Sequence, residues 1–473
     1  MKMKFSQLDL SIQLSKALSH MQYSELTEIQ EKVIPKLLRN ESVVAQSMTG
    51  SGKTLAYAVP LLQKITIEER HPQALILVPT RELALQTKKT LDALGLYLHT
   101  RHLLLVGKQS FHFQKEDMKQ RTHIIIATPG RLLQHIQEHT VDLSHLSMLV
   151  LDEADEMLRL GFRQTLDKIF PHLPSGMQSA CFSATFPKEV HSFLHERFSR
   201  SLWIKSDAPV LPQGLKQIFI RTVAEHRYEL LLDALCSYSI KRCMIFVNTI
   251  EEAERLHQKL LDQNLLSTTL HGNQTQEERF SSLQSFRDGK TRLMVASNVA
   301  ARGLDIPDVS LIVNYDFPLK KESYIHRIGR SARMEQSGLA LSFIIKGRTA
   351  VFDELKETFP SFSLIEPQFS CQYSLQRLQQ PLEQTLSREQ LIRQDVMKLC
   401  IFAGKSKKLR AGDLVGAICS IEGIDGDDIG VIQIQDHNSY VEILNGKGEL
   451  VLTKLNQRTI KNKRIRVEKA HEC

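Results

Sequence analysis

The chain has 473 residues, 42% hydrophobic and 24% charged, with 61 Lys plus Arg against 53 Asp plus Glu and a formal net charge of +8. That length suggests about three domains, the apolar share excludes a disordered polyelectrolyte, and the basic balance admits a polyanionic partner without requiring one. The seven Cys form no CxxC pair, which argues against a zinc scaffold or disulfide framework and for a reducing compartment; no apolar run reaches the ~18–20 residues of a membrane span, and no signal-peptide core follows the basic start Met1–Lys4.

Short apolar runs at Ser42–Ala45, Ala74–Val78, His102–Val106, His123–Ala127, Met148–Leu151 and Ser179–Phe182 predict central strands of a parallel sheet, because they are apolar toward both faces. Arg81–Leu94 and Gly130–His139 predict crossover helices, so residues 1–206 read as a doubly wound α/β layer. The alternation restarts with Gln217–Thr222, Arg242–Val247, Ser267–Leu270, Arg292–Ala296, Val309–Asn314 and Leu339–Ile345, which predicts a second layer over 207–365. The junction 206–214 carries Pro209, Pro212 and Gly214, a linker composition, and two layers in tandem create a cleft for a ligand. A polar, Gln-rich stretch, 366–403, predicts a partly helical connector. The last segment, 404–473, predicts strand Lys408–Gly412, helix Asp413–Ile421, strands Ile429–Gln435 and Ser439–Leu444, helix Lys447–Gln457 and strand Thr459–Val467, a βαββαβ order.

Gly50-Ser51-Gly52-Lys53-Thr54 follows a predicted strand and opens the helical stretch Leu55–Leu62. Glycines let backbone N–H groups crowd phosphate oxygens, and a helix N-terminus adds positive potential. In that context Lys53 is expected to reach the terminal phosphates and the Thr54 hydroxyl to ligate Mg²⁺. The loop is a variant, with Ser47 where a Gly is usual; Ser47, Thr49, Gly50, Ser51 and Gly52 form the expected cradle. Asp152-Glu153-Ala154-Asp155 closes the run Met148–Leu151, at the strand end where such sheets bind ligands. Asp152 is expected to hold Mg²⁺ through water, and Glu153 to orient or deprotonate the attacking water. Arg327, Arg330 and Arg333 recur at spacing three. On a helix Arg330 and Arg333 would share a face and reach one polyphosphate; alone, the segment reads equally as a solvated basic helix or an RNA patch.

Taken in order, these motifs resemble the DEAD-box RNA helicases. Tyr23–Gln30 resembles the family's adenine-reading Q motif, with Phe5 upstream, and Pro79–Ala84 and Thr128–Arg131 its first-domain RNA motifs. Ser183-Ala184-Thr185 is similar to the motif linking hydrolysis to unwinding. Ile245–Thr249, His271-Gly272 with Gln276 and Arg279, Ala300–Ile306 and the Arg-rich segment resemble the second-domain motifs, so the likeness spans about residues 5–365. It implies two RecA-like domains that close on ATP and single-stranded RNA. Gln30 and Thr27 would read adenine, Phe5 stack on it and Asp305 touch the ribose, while Arg330 and Arg333 would join Lys53, Asp152 and Glu153 as the catalytic set. Thr80, Arg81, Thr128, Arg131, Thr249, Gly272 and Arg279 would line the RNA backbone, a grip that carries no base information. The sequence departs from the family pattern at Leu26 (usually Pro), Lys108 (usually Gly), Ser297-Asn298 (usually Thr-Asp) and Ala332 (usually Gly). Asn298 removes a charge where the ATP and RNA sites are coupled; ATPase activity is expected to be retained.

Residues 404–473 resemble the RNA-binding domain of the DbpA subfamily, on Gly404–Gly416, Asp428–Gly430 and Tyr440–Gly448. The resemblance implies an RRM-like fold, in which only Tyr440 is available to stack a base. The expected contacts are therefore flanking cations: Lys405, Lys407, Lys408 and Arg410 at the entrance, and Arg458, Lys461, Lys463, Arg464 and Arg466 at the exit. It also implies a structured ribosomal RNA of the large subunit, in pre-ribosomal particles, as the anchor that raises the core's effective concentration. The expectation is an α/β protein of two tandem RecA-like doubly wound parallel-sheet domains plus a small C-terminal RRM-like βαββαβ domain. It would act as a monomeric, cytoplasmic RNA helicase using ATP and Mg²⁺, with no membrane partner. The alternative, an RNA-binding clamp or scaffold with little turnover, has only Ser297-Asn298 and Ala332 in its favour.

Overall fold

Segments rich in Val, Ile and Leu on both faces must be covered on both faces, and in this chain that requirement builds two parallel sheets. The computed structural model describes residues 2–47, 50–205, 214–297, 309–331, 338–345, 350–358, 363–365, 372–382, 387–461 and 463–470. The first sheet contains β1 (Val43–Gln46), β2 (Ala74–Leu77), β3 (His102–Leu105), β4 (Ile124–Ala127), β5 (Met148–Leu151), β6 (Gln178–Ser183) and β7 (Leu202–Lys205), in the order β3-β4-β2-β5-β6-β1-β7. The second contains β8 (Leu215–Thr222), β9 (Arg242–Val247), β10 (Ser267–Leu270), β11 (Leu293–Ser297), β12 (Val309–Asn314), β13 (Gly338–Ile345) and β14 (Ser363–Ile365). Its order, β10-β11-β9-β12-β13-β8-β14, repeats that of the first lobe strand for strand. Side chains alternate between two cores: Ala74 and Ile76 of β2 enter one, Leu75 and Leu77 the other. In β9, Cys243, Ile245 and Val247 face one way, and Met244 and Phe246 the other.

The strand order also sorts the loops. β1, β6 and β5 are neighbours, so the ends carrying Gly50–Thr54, Ser183–Thr185 and Asp152–Asp155 converge. β2, β4 and β3 lie together on the far side, so Thr80, Thr128 and Gly107 emerge side by side at a distance from the phosphate loop.

The third sheet is antiparallel, ordered β16-β17-β15-β20 from β15 (Met397–Ile401), β16 (Ile429–Ile434), β17 (Ser439–Ile443) and β20 (Val467–Lys469). Helices Ala411–Cys419 and Gly448–Gln457 close one face: Leu414, Ile418, Val451 and Leu455 share a core with Leu399, Ile401, Val441 and Ile443. Two expectations fail here. The first strand is not Lys408–Gly412 but β15; Lys405–Lys407 form a 3-10 turn, and Lys408 adopts a left-handed φ of 57° that ends it. Thr459–Val467 is not one strand, because Lys461 turns the chain at φ 53°. Thr459–Ile460 (β18) therefore pairs back on Lys463–Arg464 (β19) as a hairpin before β20.

The connector is partly helical, with a 3-10 turn at Leu375–Gln379 and a helix at Arg388–Leu391. Ile392 and Leu444 enter the core of the first lobe, and Lys16 Nζ donates to Asn445 Oδ1 at 3.0 Å, so the C-terminal domain packs on that lobe. Cys181, Cys243, Cys400 and Cys419 are free thiols, while Cys236 is disulfide-bonded, a single pairing that the spacing of the seven Cys does not announce. The junction 206–213 lies outside the described residues. Among those described, no helix is long and apolar enough to cross a membrane.

Gly404 fits because a Cβ there would lie 2.1 Å from the Gln435 carbonyl oxygen and 2.7 Å from that of Asp436. Gly404→Ala is expected to destabilise the C-terminal domain by about 1–3 kcal/mol, an overpacking cost. Gly416→Ala, helical and with open space around its Cβ, should stabilise it by about 0.5–1 kcal/mol. Thermal melts of the full-length variants distinguish the two; equal shifts would contradict the packing.

Candidate nucleotide and RNA site

The phosphate loop leaves β1 and turns into the helix Lys53–Lys64 through Gly50 (φ 81°) and Gly52 (φ 93°), left-handed values that a side chain resists. Gly52 is also pinned from outside, since a Cβ there would lie 2.4 Å from Gln30 Nε2. Gln30 Nε2 donates to the Gly52 carbonyl at 3.0 Å, Thr27 Oγ1 to the Ser51 carbonyl at 2.7 Å, and the Gln30 carboxamide oxygen accepts from Thr27 N at 2.9 Å. The two expected adenine readers thus clasp the loop. Ser47 Oγ and Ser51 Oγ are 2.5 Å apart, so Ser47 supplies a hydroxyl brace where a Gly would leave space. Phe5 is buried in the first-lobe core and tilted against Tyr23, with ring centroids 6.3 Å apart. Thr49 lies outside the described residues.

Lys53 is 7% exposed, and its Nζ is buried without a hydrogen-bond partner. Asp152, at the end of β5 and 2% exposed, accepts from the Tyr57 hydroxyl at Oδ2 (3.0 Å), while its buried Oδ1 has no partner. Burial raises the Asp152 carboxyl above its ordinary range, against the pull of Lys53 and the Tyr57 bond. The Tyr57 phenol is pushed well above its ordinary value, first by burial and then by the Asp152 charge, so it stays a donor. Thr54 follows Lys53 in the same first helical turn.

Glu153 adopts a left-handed backbone (φ 56°, ψ 52°), a strained state for a non-glycine residue. Burial lifts its carboxyl to about 7; Lys53 and Arg330 oppose the rise and Asp152 adds to it. Asp155 takes another path, its Oδ2 accepting from Thr185 N at 2.9 Å and Thr185 Oγ1 at 2.8 Å. That link ties β5 to the loop after β6, which neither motif reveals separately.

The second lobe brings Arg330, 2% exposed, within electrostatic reach of Glu153. The helix before it, Lys321–Ile328, ends two residues earlier, so Arg330 sits in a turn past the helix. Arg327 is structural: its guanidinium donates to Asn314 Oδ1 (3.0 Å), the Asp316 carbonyl (2.7 Å) and Asn248 Oδ1 (2.9 Å). Asp305, Arg333, Asn298 and Ala332 lie outside the described residues.

The expected RNA residues cap helices at strand ends. Thr80 accepts from Leu83 N at 3.3 Å, and Thr249 from Glu252 N at 3.2 Å. Thr128 precedes the helix Pro129–Gln137 without a side-chain cap. Arg81 is half-buried, its Nε without a partner, and burial lowers its pKa. Arg131 donates to Gln114 Oε1 at 2.9 Å and to the Gln109 carbonyl at 3.0 Å. Burial pushes His135 down to about 4, leaving a neutral ring whose Nε2 lies 3.1 Å from the same Gln114 oxygen. Gly272 is exposed. Arg279 Nη2 pairs with Glu82 Oε1 at 3.1 Å, joining the lobes through a residue beside Arg81.

In the C-terminal domain Lys405, Lys407, Lys408, Arg410 and Arg464 are exposed. Lys407 Nζ donates to the Phe402 carbonyl at 2.8 Å; the Lys463 side chain lies outside what is described. Tyr440 is half-buried on β17 opposite Cys400, with Lys398 Nζ 5.1 Å from its ring centroid. It is not the only aromatic at the sheet: Phe402, just past β15, is 37% exposed, with the Arg466 guanidinium 5.4 Å from its ring. Because β15 was misplaced in sequence, Phe402 was missed.

A phosphate loop with buried, unpaired charge, an acidic strand end and a facing Arg from a second lobe of the same topology define a two-lobed RecA-like nucleotide hydrolase. A DEAD/DEAH box helicase model matches residues 27–193, a helicase conserved C-terminal domain model residues 226–335, and a DbpA RNA binding domain model residues 398–469. The chain is 38% identical to the ATP-dependent RNA helicase DbpA of Bacillus subtilis over 477 residues, 99% of both chains. It is 34% identical to that of Escherichia coli over 451 residues, 95% of both. Dbp5 of S. cerevisiae bound to RNA and ADP BeF3 aligns with a TM-score of 0.70 at 29% identity, covering 77% of this chain and 95% of that one. The chain belongs to the DEAD-box ATP-dependent RNA helicases, in the DbpA group marked by the third domain.

A carboxyl can orient or deprotonate water only when ionised. With Glu153 at about 7 in the free enzyme, kcat/KM for ATP at saturating RNA should fall about tenfold per pH unit below 7 and level off above it. A profile flat from pH 6 to 8 would contradict a role for that carboxylate.

Proposed function

We propose that the chain spends ATP to separate or remodel short duplexes in structured RNA, namely large-subunit ribosomal RNA in pre-ribosomal particles, acting as a cytoplasmic monomer. The observation that carries the ATP half is the pairing of two partnerless buried groups, Lys53 Nζ and Asp152 Oδ1, with Glu153 beside them. An ammonium and a carboxylate are not left buried and unpaired without a ligand to meet them. A triphosphate meets the first. A hydrated divalent cation meets the second, and the hard oxygen donors of Asp152 and Thr54 suit Mg²⁺. Held by Asp152 and Thr54, it would supply neutralisation of the charge that develops on the phosphates.

The chain's own groups supply the remainder. Lys53 and the loop amides hold the terminal phosphates in line. Glu153 fixes the attacking water and accepts its proton. Arg330, with Arg333, reaches the γ-phosphate from the other lobe, so hydrolysis requires the lobes to be closed. Gln30, Thr27, Phe5 and Asp305 hold the nucleoside; the clasp of Gln30 and Thr27 on the loop supports this, because adenine recognition and loop shape then change together. Thr80, Arg81, Thr128, Arg131, Thr249, Gly272 and Arg279 bind the RNA backbone. A closed state that fits only a bent strand separates it from its complement, and loss of the γ-phosphate releases it. Glu153→Gln is isosteric and should lower RNA-stimulated turnover by at least about 10²-fold, with ATP and RNA affinities near wild type. Unchanged turnover would favour a clamp.

The RNA half rests on the third domain. Lys405, Lys407, Lys408 and Arg410 are exposed, and the hairpin of Lys463 and Arg464 is tied to the same region, since Lys461 Nζ donates to the Lys408 carbonyl at 3.0 Å; Tyr440 lies on the adjoining sheet. Such an arrangement suits a folded RNA read by backbone and shape. Replacing Lys405, Lys407, Lys408 and Arg410 by Gln should weaken binding to large-subunit ribosomal RNA fragments and shallow the salt dependence by about one log unit per lost phosphate contact. Binding to unstructured RNA through the core should be unaffected. An unchanged salt slope would remove these cations from the interface.

A further inference from the structure

The helix that begins with Lys53 and Thr54 carries a buried tyrosine one turn later. Tyr57 is fully buried and falls on the Lys53–Thr54 face, since residues three and four apart are neighbours on a helix. Its ring packs against Phe182 of β6, with centroids 5.4 Å apart, and its hydroxyl donates to Asp152 Oδ2 at 3.0 Å. The other oxygen of that carboxylate, Oδ1, is buried and has no partner, and neither has Lys53 Nζ. Lys53 acts on Asp152 by charge without a hydrogen bond; the side chain that bonds its carboxylate is Tyr57, beside the backbone N–H of Glu153. A carboxylate torsion is broad and roughly two-fold, so an aspartate held by its backbone alone presents either oxygen at variable angles. A donor fixed in the core removes that freedom.

We propose that Tyr57 is a positioning residue for the metal: by occupying Oδ2 of Asp152 it holds Oδ1 toward the phosphate loop, where the hydrated divalent cation of the nucleotide binds. The inference rests on the reading of Asp152 as the magnesium-holding carboxylate and adds the group that orients it. It also explains why a hydroxyl is tolerated at a fully buried position of an otherwise apolar helical run, Leu55–Leu62. A buried hydroxyl needs an acceptor, and here the acceptor belongs to the site.

The test is Tyr57→Phe in the full-length chain, which removes one oxygen and keeps the ring. Binding of a fluorescent ADP derivative is titrated with Mg²⁺ alone as the variable, so no turnover is needed. The expected result is a half-saturating Mg²⁺ concentration raised about tenfold, the scale of losing a partner that orients a metal ligand. Nucleotide affinity without Mg²⁺ and the melting temperature should stay near wild type. Asp152→Asn is run in parallel. If Asp152→Asn loses the Mg²⁺ response while Tyr57→Phe titrates like wild type, Tyr57 does not position the carboxylate and the proposal fails. If Asp152→Asn keeps the full response, the reading of Asp152 as metal holder fails, and the proposal with it. If Tyr57→Phe weakens nucleotide binding equally with and without Mg²⁺, or melts far below wild type, the hydroxyl serves loop structure and the proposal is overturned in favour of a packing role.

Discussion

Buried charge with polar atoms that no protein hydrogen bond satisfies, Lys53 Nζ and Asp152 Oδ1, is the constraint on which the molecule turns. A desolvated ion costs several kcal/mol even after relaxation, so a chain that buries the Lys53 ammonium and one oxygen of Asp152 unpaired must recover that cost elsewhere. The recovery comes from the two cores that sandwich the first sheet and from the strand order, which sets β1, β6 and β5 side by side. The strained backbone of Glu153 belongs to the same bargain. These groups suit the polyphosphate proposed for them, and the burial that makes them costly also makes them strong, since electrostatic interactions grow as water is excluded.

Repetition of one topology explains how the second lobe completes the first. Each lobe presents its functional loops at the same end of a parallel sheet, so two such ends facing across a cleft place unlike chemistry opposite each other. Arg330 faces Glu153, and Arg279 pairs with Glu82 next to Arg81. One of the contacts between the lobes thus involves Arg279, proposed for RNA, and the approach of Arg330 to Glu153 joins two groups proposed for hydrolysis. A ligand at either place biases the same lobe arrangement, which is the physical content of coupling between the two. The third domain, seated on the first lobe through Leu444 and Ile392, adds a fixed position from which an RNA can be held.

Much of this was legible in the residues. Strands such as β5 and β9 are apolar toward both faces and declare themselves, and the helix Arg81–Leu94 was read to its ends. β7 and β14 were not read: β7 is an edge strand whose Leu202 and Trp203 are exposed, so its pattern does not mark a core strand, and β14 is only three residues long. The first strand of the third domain, Met397–Ile401, is apolar but follows directly on the polar connector and reads as part of it, while the run Lys408–Gly412 suggests a strand in the wrong place. The motif residues of the phosphate loop and acidic strand end were found, because their chemistry demands those types at those spacings. What they touch was not. The clasp of Thr27 and Gln30 on loop carbonyls depends on how the helix Glu28–Leu38 packs. Tyr57 reads as one more core residue until Asp152 is placed beside it, and Arg330 was drawn onto a helix that stops at Ile328.

The central claim is that one lobe supplies the phosphate cradle and the other supplies the cation that answers it. The most direct measurement is a crystal structure of the full chain with ADP, a beryllium fluoride γ-phosphate mimic and a single RNA strand. The account predicts Lys53 Nζ and the Arg330 guanidinium both within hydrogen-bond distance of the fluoride, with RNA across both lobes. Arg330 directed away from the mimic, with nucleotide and RNA both bound, would contradict it.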